Sequence, residues 1–109
     1  MKRTVTTDEL KTMLEESKDI TLLDVRRATD READKEALPG AQWLDPEKVN
    51  EWGEHLPKDK NVVIYCARGG SISNKVLDQL LEKNIQARYL EGGIAAWKAA
   101  GGTPEKNKS

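Results

Sequence analysis

Leu10, Met13 and Leu14 recur at the i, i+3, i+4 spacing of a helix that buries one side. Ahead of them, Thr6 and Glu9 have the spacing of a capping box, and Val5 and Leu10 that of a hydrophobic staple. A helix is therefore expected to start just after Thr6. At Ile20-Thr21-Leu22-Leu23-Asp24-Val25 the helical period is lost and there is little alternation. A short run of this kind suits a strand covered on both faces, as in a parallel sheet. From Arg26 to Glu36 only Ala28 and Ala33 interrupt a polar and charged stretch. Such a segment reads equally as a polar helix laced by i, i+4 pairs or as an ordered loop.

Leu38-Pro39-Gly40-Ala41 predicts a turn and Gln42-Trp43-Leu44 a brief strand. Asp45-Pro46 then has the form of an N-cap and first helical residue, with Val49 and Trp52 on the inner face. After a turn from Leu56 to Lys60, Asn61 to Cys66 is the strongest strand of the chain, and Ala67-Arg68-Gly69-Gly70-Ser71 cannot continue it. Ile72, Val76, Leu77, Leu80 and Leu81 mark a helix ending near Asn84. Gln86 to Leu90 predicts a further strand with Ala87 and Tyr89 on one face; Glu91-Gly92-Gly93 turns the chain into a last helix, Ile94 to Ala100, closed by Gly101. Residues 103–109 read as a loose polar tail. The alternation of strands and helices predicts an α/β fold, a central mostly parallel sheet with helices on both faces.

Composition narrows the possible functions. A chain of 109 residues fits one domain, 1–109, with a core that needs no disulfide or metal staple. Eighteen basic against 19 acidic side chains give a net charge of −1, which argues against a nucleic-acid binder held by a basic face. There is no run of ~18 apolar residues to span a membrane, and the first residues lack the apolar stretch of a secretory signal, so a cytoplasmic location is expected. The single cysteine excludes an intramolecular disulfide and a cysteine zinc cluster.

That cysteine carries the candidate chemistry. Cys66 ends the strongest strand, and in open parallel sheets the functional crevice lies at the carboxyl ends of the strands. The glycines of the following loop allow its N–H groups to curl inward as a nest, and the start of the next helix adds its positive end. Such a cradle would favour a thiolate and hold an anionic adduct on the sulfur. Arg68 beside it supplies a planar cation suited to an oxyanion such as thiosulfate. The bland alternatives are that Cys66 is only a small buried hydrophobe and Arg68 a solvated loop residue.

Tyr65-Cys66-Ala67-Arg68-Gly69-Gly70-Ser71 followed by an amphipathic helix resembles the active-site loop of rhodanese domains. Leu22-Leu23-Asp24-Val25-Arg26 with Leu38-Pro39-Gly40-Ala41 downstream resembles the family's first signature, and Leu90-Glu91-Gly92-Gly93-Ile94-Ala95-Ala96-Trp97 its closing one. The resemblance runs from Ile20 to Pro104 and is closest to single-domain bacterial thiosulfate sulfurtransferases. It implies a three-layer rhodanese-like fold and a sulfurtransferase in which Cys66 takes the outer sulfur of a donor such as thiosulfate as a persulfide. The acceptor would be a thiol or cyanide, with a sulfur-accepting protein as a further candidate partner. The implied chemistry needs no metal or organic cofactor, and the loop Ala67, Arg68, Gly69, Gly70, Ser71 and Ile72 would bind the substrate. Two alternatives stand beside it: a non-catalytic rhodanese-like interaction module, and a phosphatase or arsenate reductase on the same fold. The latter carry a longer loop with an arginine six positions after the cysteine, where this chain has Ile72.

The remaining singular residues have structural readings. Asp24 and Arg26 would brace neighbouring loops, Gly92 and Gly93 would serve a turn, Trp97 a core contact and His55 a solvated helix end. Trp43 and Trp52 are expected in the core, with a wall of the crevice as the other possibility. The charge run from Arg26 to Glu36 reads as a solvated face that could also rim the pocket.

Overall fold

The structure, a computed structural model, describes residues 3–16, 20–56, 58, 61–68, 70–102 and 104–106. Five strands form one parallel sheet in the order β1 (Thr4–Val5), β6 (Ala87–Leu90), β5 (Asn61–Tyr65), β2 (Ile20–Asp24), β4 (Gln42–Trp43). β2 and β5 have neighbours on both sides, which explains their unbroken apolar character: adjacent residues point to opposite faces, and both faces are covered. Leu23, Val25, Val62 and Ile64 pack on one side beneath α4 (Ser71–Glu82) and α3 (Val49–Trp52). Leu22, Val63 and Tyr65 pack on the other beneath α1 (Thr7–Glu15) and α5 (Gly93–Ala99). The result is the expected three-layer α/β arrangement.

Local signals act where the sequence places them. The Thr6 hydroxyl accepts from the Glu9 amide at 3.1 Å and the Glu9 carboxylate accepts from the Thr6 amide at 2.9 Å, while Val5 and Leu10 are both fully buried. Thr6→Ala is expected to cost about 1 kcal/mol, lowering the melting temperature by roughly 4 °C in a thermal unfolding scan. Asp45 caps a short 3₁₀ turn, Pro46–Lys48, by accepting from the Glu47 amide, and this turn runs into α3. Val49 is buried there, and the half-buried Trp52 donates its indole N–H to the Asp45 carbonyl at 2.7 Å.

Several features differ from the sequence reading. The polar stretch after β2 contains a short helix, α2 (Ala28–Ala33), with no buried residue. Part of the expected loose tail, Glu105–Lys106, pairs antiparallel with Glu36–Ala37; these are β7 and β3. Leu81 belongs to the helical stripe yet is exposed, because α4 turns Val76, Leu77 and Leu80 inward instead. β6 begins at Ala87 and α5 at Gly93, each one residue from its expected start. The predicted turn at Leu56 to Lys60 falls mostly outside the described residues. Among the described residues no helix is long and apolar enough to cross a membrane.

Candidate active site

Cys66 follows the last residue of β5 at the carboxyl edge of the sheet, where the strand order places β2 on one side and β6 on the other. It is 6% exposed and opens into a cavity of about 630 Å³. Ala67, Arg68, Gly70, Ser71 and Ile72 line the same cavity, so six of the seven residues expected to form the site converge there. Gly69 lies outside the described residues.

The backbone of the loop is held from the side of α5. The Ile94 amide donates to the Cys66 carbonyl at 3.0 Å and the Ala95 amide to the Ala67 carbonyl at 3.1 Å. At the other end, the Asn74 amide and side chain both donate to the Gly70 carbonyl, at 3.3 and 3.2 Å. With these carbonyls tied outward, no described backbone carbonyl takes the amides of Ala67, Arg68, Gly70, Ser71 or Ile72. Ser71 and Ile72 are also the first turn of α4, whose amides have no partner within the helix. This is a set of donors suited to an anion over the sulfur.

Gly93 makes the close approach possible. It has φ of +62°, and a Cβ there would lie 2.3 Å from the Cys66 carbonyl oxygen and 2.8 Å from the Arg68 nitrogen. Sequence reasoning reads Gly92-Gly93 as a turn; its second glycine is also a contact surface for the cysteine loop. Ile94 and Ala95 line the cavity as well.

The rim opposite the loop comes from the charged segment after β2. Arg27, Asp30, Ala33 and Asp34 line the cavity, so this segment is a wall of the site. Arg26 anchors it: its guanidinium, 1% exposed, donates to both Asp24 carboxylate oxygens, at 2.7 Å to the nearer, and to the carbonyls of Asp34 and Glu36, each at 3.0 Å. Every partner of this buried pair is a hydrogen-bonding group, the condition under which such a pair survives its desolvation. Asp24 and Arg26 thus brace the loops as expected. Tyr65 belongs to the same cluster. Its hydroxyl accepts from the Leu38 amide at 3.1 Å, and burial, then the Asp24 charge, push the phenol far up so that it stays neutral.

From α5, Lys98 reaches back to Asp34 at 2.6 Å and Glu36 at 2.9 Å. The Lys98 hydrogen bond holds the Asp34 carboxyl below its ordinary value of 3.8, and its bonds to Asp34 and Glu36 hold Lys98 above 10.5. The Asp34 contribution is complete above pH 3.8 and is lost as pH falls through the lower folded value; that of Lys98 is complete below 10.5 and is lost as pH rises through the higher one. The tether therefore holds throughout the neutral range. Its members are partly exposed, so it contributes at most about 1 kcal/mol. Lys98→Gln is expected to speed amide exchange over 28–37 while barely moving the melting temperature; unchanged exchange would show that Arg26 alone fixes the rim.

Trp43 lies beneath this rim, donating to the Arg26 carbonyl at 2.9 Å with Arg31 stacked 5.0 Å from its ring centre. Trp52 packs against the core and Trp97 is buried within it, so none of the three tryptophans lines the cavity. His55 is exposed at the end of a 3₁₀ turn, Gly53–His55, and does not line the cavity either.

Comparison with known proteins agrees with this architecture. The rhodanese-like domain family matches residues 6–100. The thiosulfate sulfurtransferase GlpE of Coxiella burnetii is 35% identical over 97 residues, covering 88% of each chain. A sulfurtransferase of Allochromatium vinosum is 31% identical, covering 89% of each. Among solved structures, a rhodanese-like domain protein from Staphylococcus aureus superimposes over the whole of both chains with a TM-score of 0.81 and 36% identity. The chain belongs to the rhodanese-like family, as a sulfurtransferase.

Proposed function

We propose that this sulfurtransferase works through Cys66, taking the outer sulfur of thiosulfate or a similar sulfane donor and passing it to a thiol or to cyanide. The observation that carries the reading is the lone cysteine at a strand's carboxyl end, in a loop whose Cys66 and Ala67 carbonyls are tied to α5 and whose described amides are taken by no described backbone carbonyl. The Cys66 thiolate attacks the outer sulfur, the sulfur–sulfur bond of the donor breaks, and sulfite leaves with the bonding pair. The terminal sulfur of the resulting persulfide is anionic, and the loop amides from Ala67 to Ile72 are its binding set. An acceptor thiolate or cyanide then attacks that sulfur and restores Cys66.

The loop speaks against phosphoryl or arsenate transfer. Six positions after the cysteine stands Ile72, half-buried in the first turn of α4 and packed against the core, where a guanidinium would be needed to clamp the oxyanion. A cytoplasmic location suits a lone thiol that must return to its reduced form at each turnover. A sulfur-accepting protein fits the same second half-reaction as a small thiol.

The test is intact-protein mass spectrometry after brief incubation with thiosulfate in the absence of reductant. A gain of one sulfur atom, reversed by cyanide or a thiol, is expected. No gain with thiosulfate, mercaptopyruvate or polysulfide would overturn the assignment and leave an interaction module.

A further inference from the structure

The charges around the cavity are not equally available to a substrate. Arg26 is buried and committed to Asp24, and Lys98 is shared between Asp34 and Glu36. Two other cations line the cavity, Arg27 and Arg68; both are exposed, and no ion pair holds either among the described residues.

Their placement follows from the register. β2 and β5 run parallel, and their last paired residues are Asp24 and Tyr65. Arg27 and Arg68 each stand three residues beyond that pair, so adjacent strands deliver two guanidiniums to the same end of the sheet and to the cavity that Cys66 lines. Arg27 is the N-cap residue of α2; a guanidinium carries donors only and cannot cap helix amides, so the backbone alone begins the helix. The guanidinium has no structural duty that the geometry shows. Asp30, one turn further along α2, is the opposing charge at the cavity, and no ion pair holds it among the described residues. The mouth thus carries two available positive charges against one negative.

We propose that Arg27 is a specificity-determining residue that, with Arg68, binds the charged end of the sulfur donor and selects dianionic donors over monoanionic ones. The proposal rests on the persulfide reading above and extends it to a residue outside the cysteine loop. In the reaction of thiosulfate, the thiolate and the dianion become a persulfide anion and a sulfite dianion, so both charges of the donor persist on the departing group. Two planar cations can follow that group from ground state to product. Methanethiosulfonate undergoes the same exchange, releasing methanesulfinate, with one charge fewer on the donor.

The experiment compares wild type, Arg27→Ala and Arg27→Lys with each donor at saturating cyanide. Arg27→Ala is expected to raise KM for thiosulfate about tenfold with kcat within twofold, the mark of lost ground-state binding. KM for methanethiosulfonate should rise by less than about threefold, and Arg27→Lys should recover part of the loss because it keeps the charge without the fork. Equal effects on the two donors, or none, would overturn the proposal. Calorimetric titration of thiosulfate into Cys66→Ser with and without Arg27→Ala separates the two readings, since it needs no turnover. A tenfold weaker affinity in the double variant supports the anion site even if wild type forms no persulfide. Unchanged affinity removes Arg27 from the site whatever the chemistry.

Discussion

Cys66→Ser is expected to reduce sulfur transfer by at least about a thousandfold while leaving a folded protein. Serine cannot form a persulfide, and the only histidine, His55, stands apart from the cavity, so no imidazole is placed to activate its hydroxyl. The fold should tolerate the change because Cys66 is anchored through its carbonyl to Ile94, a bond that serine keeps. The side chain faces a cavity where a hydroxyl can be hydrated, so the stability cost should not exceed about 1–2 kcal/mol. Steady-state turnover with thiosulfate and cyanide, beside a thermal melt, checks both halves. Turnover near wild type in a variant that melts normally would remove Cys66 from the mechanism. Loss of turnover together with loss of the melt would instead assign the cysteine to packing.

The parts of this molecule legible in its sequence are those whose cause is local. The capping box at Thr6 and Glu9, the doubly covered strands β2 and β5, and the stripe of α4 each announce themselves within a few residues. The cysteine loop was legible for the same reason, since a strand, two glycines and a helix start follow one another without interruption. The far wall of the site was not. α2 buries nothing, and what fixes it is remote: Arg26 grips two carbonyls beyond it, and Lys98 holds Asp34 across 64 positions of sequence. No periodicity reports such tethers. β1, β3 and β7 are two residues each, too short to carry a pattern, and they exist because a partner strand is in place. The only signal for α2 was charge, a run of Arg, Asp and Glu that reads as a polar helix or a loop, and as a solvated face that could also rim the pocket, without deciding between them.

The division of labour in the site follows from these two kinds of order. On the proposed mechanism, the cysteine loop would supply chemistry through its backbone, which varies little with side-chain identity. The rim supplies charge through side chains, on a helix tied down by ion pairs and carbonyl bonds. Substitutions in the rim should therefore change which donor is used, and substitutions against the loop backbone should change whether the transfer occurs at all.

Gly93→Ala is the sharpest expected case of the second kind. At φ of +62° an alanine sits in the left-handed region, which costs roughly 1–2 kcal/mol by itself. Its Cβ would then meet the Cys66 carbonyl oxygen at 2.3 Å and the carbonyl carbon of Ala67 at 2.8 Å, both backbone atoms with no rotamer to escape into. Relief requires α5 and the cysteine loop to move apart, which breaks or stretches the bonds from Ile94 and Ala95 that hold the loop carbonyls outward. Overpacking of this kind typically adds 1–3 kcal/mol, for a total near 3 kcal/mol, visible as a melting temperature lowered by about 10 °C or more. The kinetic effect should be larger than the thermal one suggests. A displacement of about 1 Å in the donors around a reacting centre can cost a hundredfold in rate, and kcat should fall by that order even at temperatures where the variant remains fully folded. The discriminating comparison is Gly92→Ala, which also has positive φ but whose Cβ would meet the Ala96 side chain on its own helix. It should lose similar stability and far less activity. If the two variants lose turnover equally when both are folded, the contact between α5 and the cysteine loop supports the fold and does not shape the site.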